Sequence, residues 1–255
     1  MMSRPTKLFD YSMMVLAVIL GVGSIALLAA DGAWGIVRMG WPDATLLFWD
    51  AGLSFAFFLQ HSGMVRKGFR SRLAAFIPSH YDRAVYAIAS GIVLAAVVLL
   101  WQHSESRLLV LEGVLRWIAR GCTIFAAAVF IWAARSLQGF DPLGLAPIRA
   151  HLRGEPKQAP PFVVQGAYRW VRHPLYSCII VMFWSNPDVT ADRLLFNVLW
   201  TVWIWVAAGL EEGDLAREFP GAYLEYQRRV PMLIPWRSPV PLEGLNAKSR
   251  GRPGV

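Results

Sequence analysis

Residues Tyr11 to Ala30 read YSMMVLAVILGVGSIALLAA, twenty consecutive positions without a charged side chain. A helix that crosses hydrocarbon about 30 Å thick needs about 20 mostly apolar residues, so this run places the chain in a bilayer. Five further apolar segments follow. Ala44 to Val65 holds one acid, Asp50, and closes on Gln60–His61. Ala84 to Gln102 is uncharged, and Trp117 to Leu137 keeps Arg120 and Arg135 near its ends. Leu175 to Ser185 is short and stops at Asn186–Pro187, while Leu194 to Leu210 carries Trp200, Trp203 and Trp205 and runs into Glu211–Glu212. Asn186, Pro187 and Asp188 are turn formers, which predicts a tight hairpin between the last two helices. The expected fold is all-α, a polytopic integral membrane bundle of about six transmembrane helices with a C-terminal helical hairpin.

Composition agrees. Of 255 residues 56% are hydrophobic and 16% charged, against about 25% charged in ordinary soluble domains. Disorder, which needs low hydrophobicity, is excluded. The net charge of +8 does not point to nucleic acid, because the basic residues lie between the apolar runs and not in one patch with interleaved aromatics. They follow the positive-inside pattern instead. With six spans, nineteen Lys and Arg fall on the side of the two termini and four (Arg38, Arg107, Arg116 and Arg193) on the other. Both termini are therefore expected in the cytoplasm, and the expected location is a bacterial inner membrane. Membrane lipids are expected partners, and the Trp residues near span ends read as interface anchors.

The chain divides, on this reading, into a four-helix N-terminal region (1–137), a segment with a loop, hairpin and C-terminal chemistry (138–236), and a flexible tail (237–255). The loop from Ser136 to Pro174 holds five prolines before Pro174 itself, and a connection of this length is either functional or disordered. It leads into the densest polar cluster of the chain, which favours function. Cys122 and Cys178 sit in apolar runs and allow no disulfide framework. No metal site is expected, and His80, His103 and His151 receive no role. The string GVGSIA at Gly21–Ala26 mimics a dinucleotide fingerprint, but it follows no strand and reads as small residues for helix packing. Asp50, an acid inside a span, is a functional suspect by default, with a structural pair to Arg120 as the equal alternative.

The informative segment is GAYRWVRHPLY at Gly166–Tyr176, then the hairpin, then EEGDLAREFPGAYLEYQRRVPMLIP from Glu211 to Pro235. It sets Tyr168, Arg172, His173 and Tyr176 before one short helix and Glu211–Glu212 at the end of the next. If the hairpin reverses the chain, both groups meet at one membrane face. Tyr223 and Tyr226 share a helix face at i, i+3. An acidic rim with aromatic walls and apolar depth suits an amphiphilic cation.

These elements resemble the isoprenylcysteine carboxyl methyltransferase-like membrane methyltransferases. Their pattern G-x-Y-x-x-x-R-H-P-x-Y, hairpin, E-E, F-G-x-x-Y-x-x-Y-x-x-x-V-P is met except that Pro220 replaces Gly after Phe219. LQHSGMVRKGF at Leu59–Phe69 and FWSNP at Phe183–Pro187 are similar to the methanethiol S-methyltransferase and NnrU-like branch. The resemblance implies S-adenosyl-L-methionine as cofactor, lined by Phe162, Val163, Tyr168, His173, Pro174, Leu175 and Tyr176, with Glu211 and Glu212 beside it. It further implies a small-molecule or lipid-like methyl acceptor. In the carboxyl-methylating members an Arg one turn before the Glu pair serves the substrate carboxylate. Ala207 stands there in this chain, which disfavours a carboxylate and favours a small apolar thiol of the methanethiol kind. A thiol, with pKa of about 8.5, benefits from a base or a cation that stabilises thiolate, for which Arg172, His61 and Tyr168 are the catalytic candidates. The alternatives are carboxyl or lipid methylation, and a non-enzymatic NnrU-like accessory protein. Cofactor binding separates the enzymes from the accessory protein.

Overall fold

The structure, a computed structural model, describes residues 4–30, 34–137, 139–155 and 162–241. The prolines of the long connection at 156, 160 and 161 and most of the expected tail lie outside the described residues. The chain is mostly helical. In order it forms α1 (Arg4–Ala29), α2 (Asp43–Val65), α3 (Lys67–Leu73), α4 (Asp82–Leu100), β1 (Arg107–Val110), α5 (Gly113–Ser136), α6 (Leu145–Arg153), a 3-10 turn (Gly166–Arg169), α7 (Pro174–Trp184), β2 (Asp188–Thr190), α8 (Ala191–Glu218) and α9 (Ala222–Arg229). β1 and β2 pair into a two-stranded ribbon, a small departure from the all-α expectation.

Four of the six expected spans are long and apolar enough to cross a membrane: Lys7–Ala29, Asp82–Leu100, Gly113–Ser136 and Ala191–Glu218. Their outward faces carry large apolar side chains, among them Ile19, Ile25, Ile124, Phe125, Val202 and Trp205, all more than half exposed. Apolar surface on this scale needs a non-aqueous partner, and the protein is an integral membrane protein. α2 has the length, 23 residues, but carries Asp50, Gln60 and His61. α7, with 11 residues, extends only roughly 16 Å at 1.5 Å per residue.

Two compact units emerge. The first comprises residues 1–106, 141–158 and 190–196, and the second comprises 107–140, 159–189 and 197–255. α5 therefore groups with the C-terminal segment and not with the N-terminal helices, as the sequence had suggested. Its partners explain why: α7 and the 3-10 turn both pack on it.

In the first unit α4 packs on α1 and α2, and α6 lies against α1. Gly91 sits where a Cβ would come 2.5 Å from the Leu20 carbonyl oxygen, and one at Gly21 would come 2.5 Å from a Leu143 methyl. The close approach of α4 to α1 thus depends on Gly91, whereas of the α1 string Gly21 meets Leu143 and Gly23 has open space beside it. α6 arises inside the long connection. The Asp141 carboxylate accepts the backbone N–H groups of Leu145 and Ala146 (2.9 and 2.8 Å), satisfying the open donors of a helix start, and Ile148 is fully buried. Asp50 is also fully buried. Its Oδ1 accepts the Gln102 backbone N–H at 2.9 Å; Arg120, in the second unit, lies over the Trp117 ring. His103 meets Asp192 at 3.3 Å. That hydrogen bond, the largest influence on the imidazole, raises its pKa.

In the second unit Arg116 forks onto Asp188 (2.9 and 2.5 Å) beside the β ribbon. α7 touches α8 through Trp184 Nε1, which donates to Thr201 Oγ1 at 3.0 Å, while its closer backbone neighbour is α5. With 28 residues, α8 extends roughly 42 Å, longer than a hydrocarbon core of about 30 Å. The helix continues unbroken past Leu210 and carries Glu211 and Glu212 on its last two turns.

Candidate functional site

The site is built in the second unit from the turn before α7, the end of α8, and α9. Gly166 opens the 3-10 turn at φ +55°, and a Cβ there would run into the Ser136 side chain. Only glycine combines that left-handed backbone with that close approach. Gln165 donates to the Ser136 carbonyl at 2.8 Å, so the turn is tied to the end of α5. Pro174 occupies the first turn of α7, where its missing N–H costs nothing.

Four donors converge on the Glu212 carboxylate. Arg172 donates from Nε at 2.5 Å and Nη2 at 3.1 Å, Gln227 from Nε2 at 2.9 Å, and His173 Nε2 stands 3.2 Å away. The remaining reach of Arg172 goes to the Gln227 and Val230 carbonyls through Nη1. Arg172 and Glu212 are only 12% and 11% exposed, so this is a closed ionic knot joining α8, α9 and the turn before α7. The backbone N–H groups of Arg172 and His173 donate to Pro231 and Met232, and Ser177 donates to Leu233 at 2.7 Å, strapping the V-P-M-L segment along the same turn.

Glu211 differs from its neighbour. Its side chain is 48% exposed and accepts one hydrogen bond, from the Tyr176 hydroxyl at 3.0 Å. The Tyr176 ring stacks on His173 with centroids 5.4 Å apart and planes 9° apart. An accessible carboxylate thus stands beside a wall of two parallel rings, with the buried carboxylate behind it already neutralised.

An aromatic block supports this rim. Tyr223 and Tyr226 pack 5.8 Å apart as their i, i+3 spacing predicts, and Phe162 contacts both of them and Phe219. The Tyr226 hydroxyl donates to the Tyr168 carbonyl at 2.6 Å. Burial, then the charge of Glu211, pushes the Tyr168 phenol well above its ordinary pKa, and burial likewise raises those of Tyr223 and Tyr226. All three keep their protons at physiological pH. Pro220 falls in the turn between α8 and α9, where a helix ends readily before proline, and both tyrosines still reach the block. Just after Trp236, Val240 donates its backbone N–H to the Arg169 carbonyl (3.1 Å), and its own carbonyl accepts from Arg169 Nε at 2.7 Å.

The structure thus brings Phe162, Tyr168, Arg172, His173, Pro174, Tyr176, Glu211 and Glu212 into one unit, with Val163 and Leu175 on the same strip of chain. His61 belongs to the first unit. There its ring stands 2.6 Å from the Tyr86 hydroxyl and 3.2 Å from Ser90, and Tyr86 lines a cavity of about 250 Å³ with Met64, Arg70 and Asp82. The sequence reading missed Gln227. Its position four residues after Tyr223 was the available signal, since i, i+4 residues share a helix face.

The relatives of this chain make it a membrane methyltransferase of the isoprenylcysteine carboxyl methyltransferase-like class. The chain is 35% identical over 206 residues to methanethiol S-methyltransferase of a Pseudomonas species (78% of this chain and 76% of the relative). It is 32% identical over 185 residues to methanethiol S-methyltransferase of Mycobacterium tuberculosis (71% and 74%). Nurim of Rattus norvegicus is 24% identical over 204 residues (71% and 78%). No family model and no solved structure matches the chain. The chain belongs to the methanethiol S-methyltransferase family.

Proposed function

We propose that this protein is an S-adenosyl-L-methionine-dependent methyltransferase that moves a methyl group onto a small apolar thiol of the methanethiol class at the cytoplasmic face of a bacterial inner membrane. The observation that carries the reading is the division of labour between the two adjacent carboxylates, one sealed into an ionic knot and one exposed beside stacked rings. Such a rim fits the donor: a carboxylate accepts from an ammonium or ribose hydroxyl, and aromatic faces attract a cation. When bound, S-adenosyl-L-methionine supplies an electrophilic methyl on a sulfonium.

Glu211 and Tyr176 hold the donor's polar end, with His173, Pro174, Leu175, Phe162 and Val163 lining it. The Arg172–Glu212–Gln227 knot fixes His173 and the turn before α7, so Arg172 is a positioning residue here and not a cation free to face a thiolate. Tyr168, which stays protonated, serves as a hydrogen-bond donor and not as a base. His61, the third candidate, belongs to the first unit and contacts the Tyr86 hydroxyl there. Positioning the two reactants supplies much of the acceleration in such a transfer. Ala207, beside the fully buried Ala208, leaves no cation one turn before the Glu pair, which disfavours carboxylate acceptors.

In the membrane we infer six crossings, with α2 and the short α7 completing the four long helices, α7 and α8 forming the hairpin, and both termini in the cytoplasm. The test is calorimetry of S-adenosyl-L-methionine and S-adenosylhomocysteine on the detergent-purified protein, followed by a dimethyl sulfide assay with methanethiol. Micromolar binding that Glu211→Gln weakens at least tenfold, together with methanethiol-dependent product, is the expected result. A folded protein that binds neither compound would sink the enzyme assignment.

A further inference from the structure

A second polar cluster lies in the first unit and shares no residue with the site above. Asp10, near the start of α1, is fully buried. Its Oδ1 accepts the Tyr81 hydroxyl at 2.5 Å, and its Oδ2 is buried without a hydrogen-bond partner. His80, in the connection between α3 and α4, places its Nε2 3.9 Å from Asp10 Oδ1, and that nitrogen too is buried and unpartnered. His151, exposed on α6, stacks its ring on His80 with centroids 3.9 Å apart and planes 12° apart. One ligand atom from each of the three falls within 4.8 Å of the others.

Packing alone does not account for this arrangement. A buried carboxylate oxygen without a partner carries a desolvation cost that a native structure ordinarily relieves. Among the described residues, Ala17, Tyr81, Ala84 and Ile148 form the buried cluster there, with Met13 and Met14 against it. Two imidazoles and one carboxylate form a donor set characteristic of first-row transition metals, and one cation would satisfy both orphaned atoms at once.

We propose that Asp10, His80 and His151 bind one divalent transition-metal ion of the zinc class, with solvent completing its coordination on the exposed side of His151. Bonds of about 2.0–2.2 Å to nitrogen and oxygen draw tetrahedral ligands to within roughly 3.5 Å of one another. The atoms must therefore close in by about an ångström, and exposed His151 is the ligand able to swing. The same exposure gives the ion its entry path. Tyr81 is the outer-shell partner that orients the carboxylate, a role such hydrogen bonds commonly play around metals. The ion clips together α1, the α3–α4 connection and α6, three segments about seventy residues apart in the chain. That spacing is why no metal motif is legible in the sequence.

The test uses the full chain, purified in detergent, tag-free and stripped with chelator. Zinc is titrated by calorimetry, and cobalt is followed by its d–d absorption, which reports coordination by these ligands directly. The expected result is one equivalent bound at micromolar or tighter affinity, with a melting temperature that rises on zinc addition. His151→Ala, at an exposed position, should fold normally, bind at least tenfold more weakly and lose the zinc-dependent rise. Asp10→Asn should do the same where it folds. No stoichiometric binding to the folded wild type, or undiminished binding to His151→Ala, overturns the proposal.

Discussion

The two adjacent glutamates make opposite predictions, and comparing them tests the whole reading of the site. Glu212→Gln removes the negative charge that receives two Arg172 donors, Gln227 and His173. It also turns an amide N–H₂ toward donors, and Arg172, 12% exposed, is left as a buried cation without a counter-ion. Breaking one partner out of a buried pair costs about 3–5 kcal/mol. At about 2–4 °C per kcal/mol for a chain of this size, the melting temperature should fall by roughly 6–20 °C. Glu211→Gln removes a half-exposed charge that accepts the Tyr176 hydroxyl and stands 3.9 Å from His173 Nδ1, worth less than about 1 kcal/mol, so its melting temperature should shift by less than about 4 °C. Binding should respond the other way round. Glu211→Gln should weaken S-adenosylhomocysteine at least tenfold in a protein that remains folded. The assay is thermal unfolding and calorimetry of both variants in one detergent and buffer. A Glu212→Gln variant that melts within about 3 °C of wild type yet cannot bind would refute the argument and exchange the two roles.

Gly166→Ala places a methyl group at φ +55° against the Ser136 side chain. The backbone conformation alone costs about 1–2 kcal/mol, and the displaced turn carries Tyr168, so both melting temperature and donor affinity should drop; an unchanged affinity would detach that turn from the site. The phenols of Tyr168, Tyr223 and Tyr226 are harder to ionise folded than unfolded. The unfolded chain therefore releases protons first, and the stability they contribute is fully present below about pH 10 and declines above it. Melting followed from pH 8 to 11 should show that decline, and Tyr223→Phe should flatten it; an equal slope in the variant would count against the buried-phenol explanation. For His103 the sign is the same at lower pH: Asp192 raises its pKa, so the contribution is present below about pH 6.5 and is lost as pH rises through the folded value. His103→Gln should accordingly lower the melting temperature more at pH 6 than at pH 8, and an equal loss at both would show that the imidazole works uncharged.

The helices of this protein are legible in the sequence because lipid imposes a length and a polarity that a linear pattern records. The charge-free run from Tyr11 lies in α1 up to Ala29, one residue short of its end at Ala30, and the segments around Ala84, Trp117 and Leu194 coincide with α4, α5 and α8. The small connecting helix α6 was less visible, since its start depends on Asp141 reaching two backbone N–H groups and its amphipathic face spans only nine residues. The site followed the same division. Its components could be named from the R-H-P and E-E elements, because methyl-donor chemistry restricts residue types.

What the linear pattern could not decide was partnership. Nothing in the dipeptide Glu211–Glu212 tells which carboxylate is sealed; that depends on a helix turning about 100° per residue, so that one side chain faces Arg172 and Gln227 and the other faces outward. Nor could the sequence place α5 beside α7, dock Val240 on Arg169, or bring Asp10, His80 and His151 together. Composition and hydropathy are sums over neighbours in the chain, and they determined that this protein lies in a membrane, while the R-H-P and E-E elements supplied the candidates for its chemistry. Contacts between residues far apart in the chain arise only when it folds, and they decided which of the two carboxylates is sealed and which is exposed.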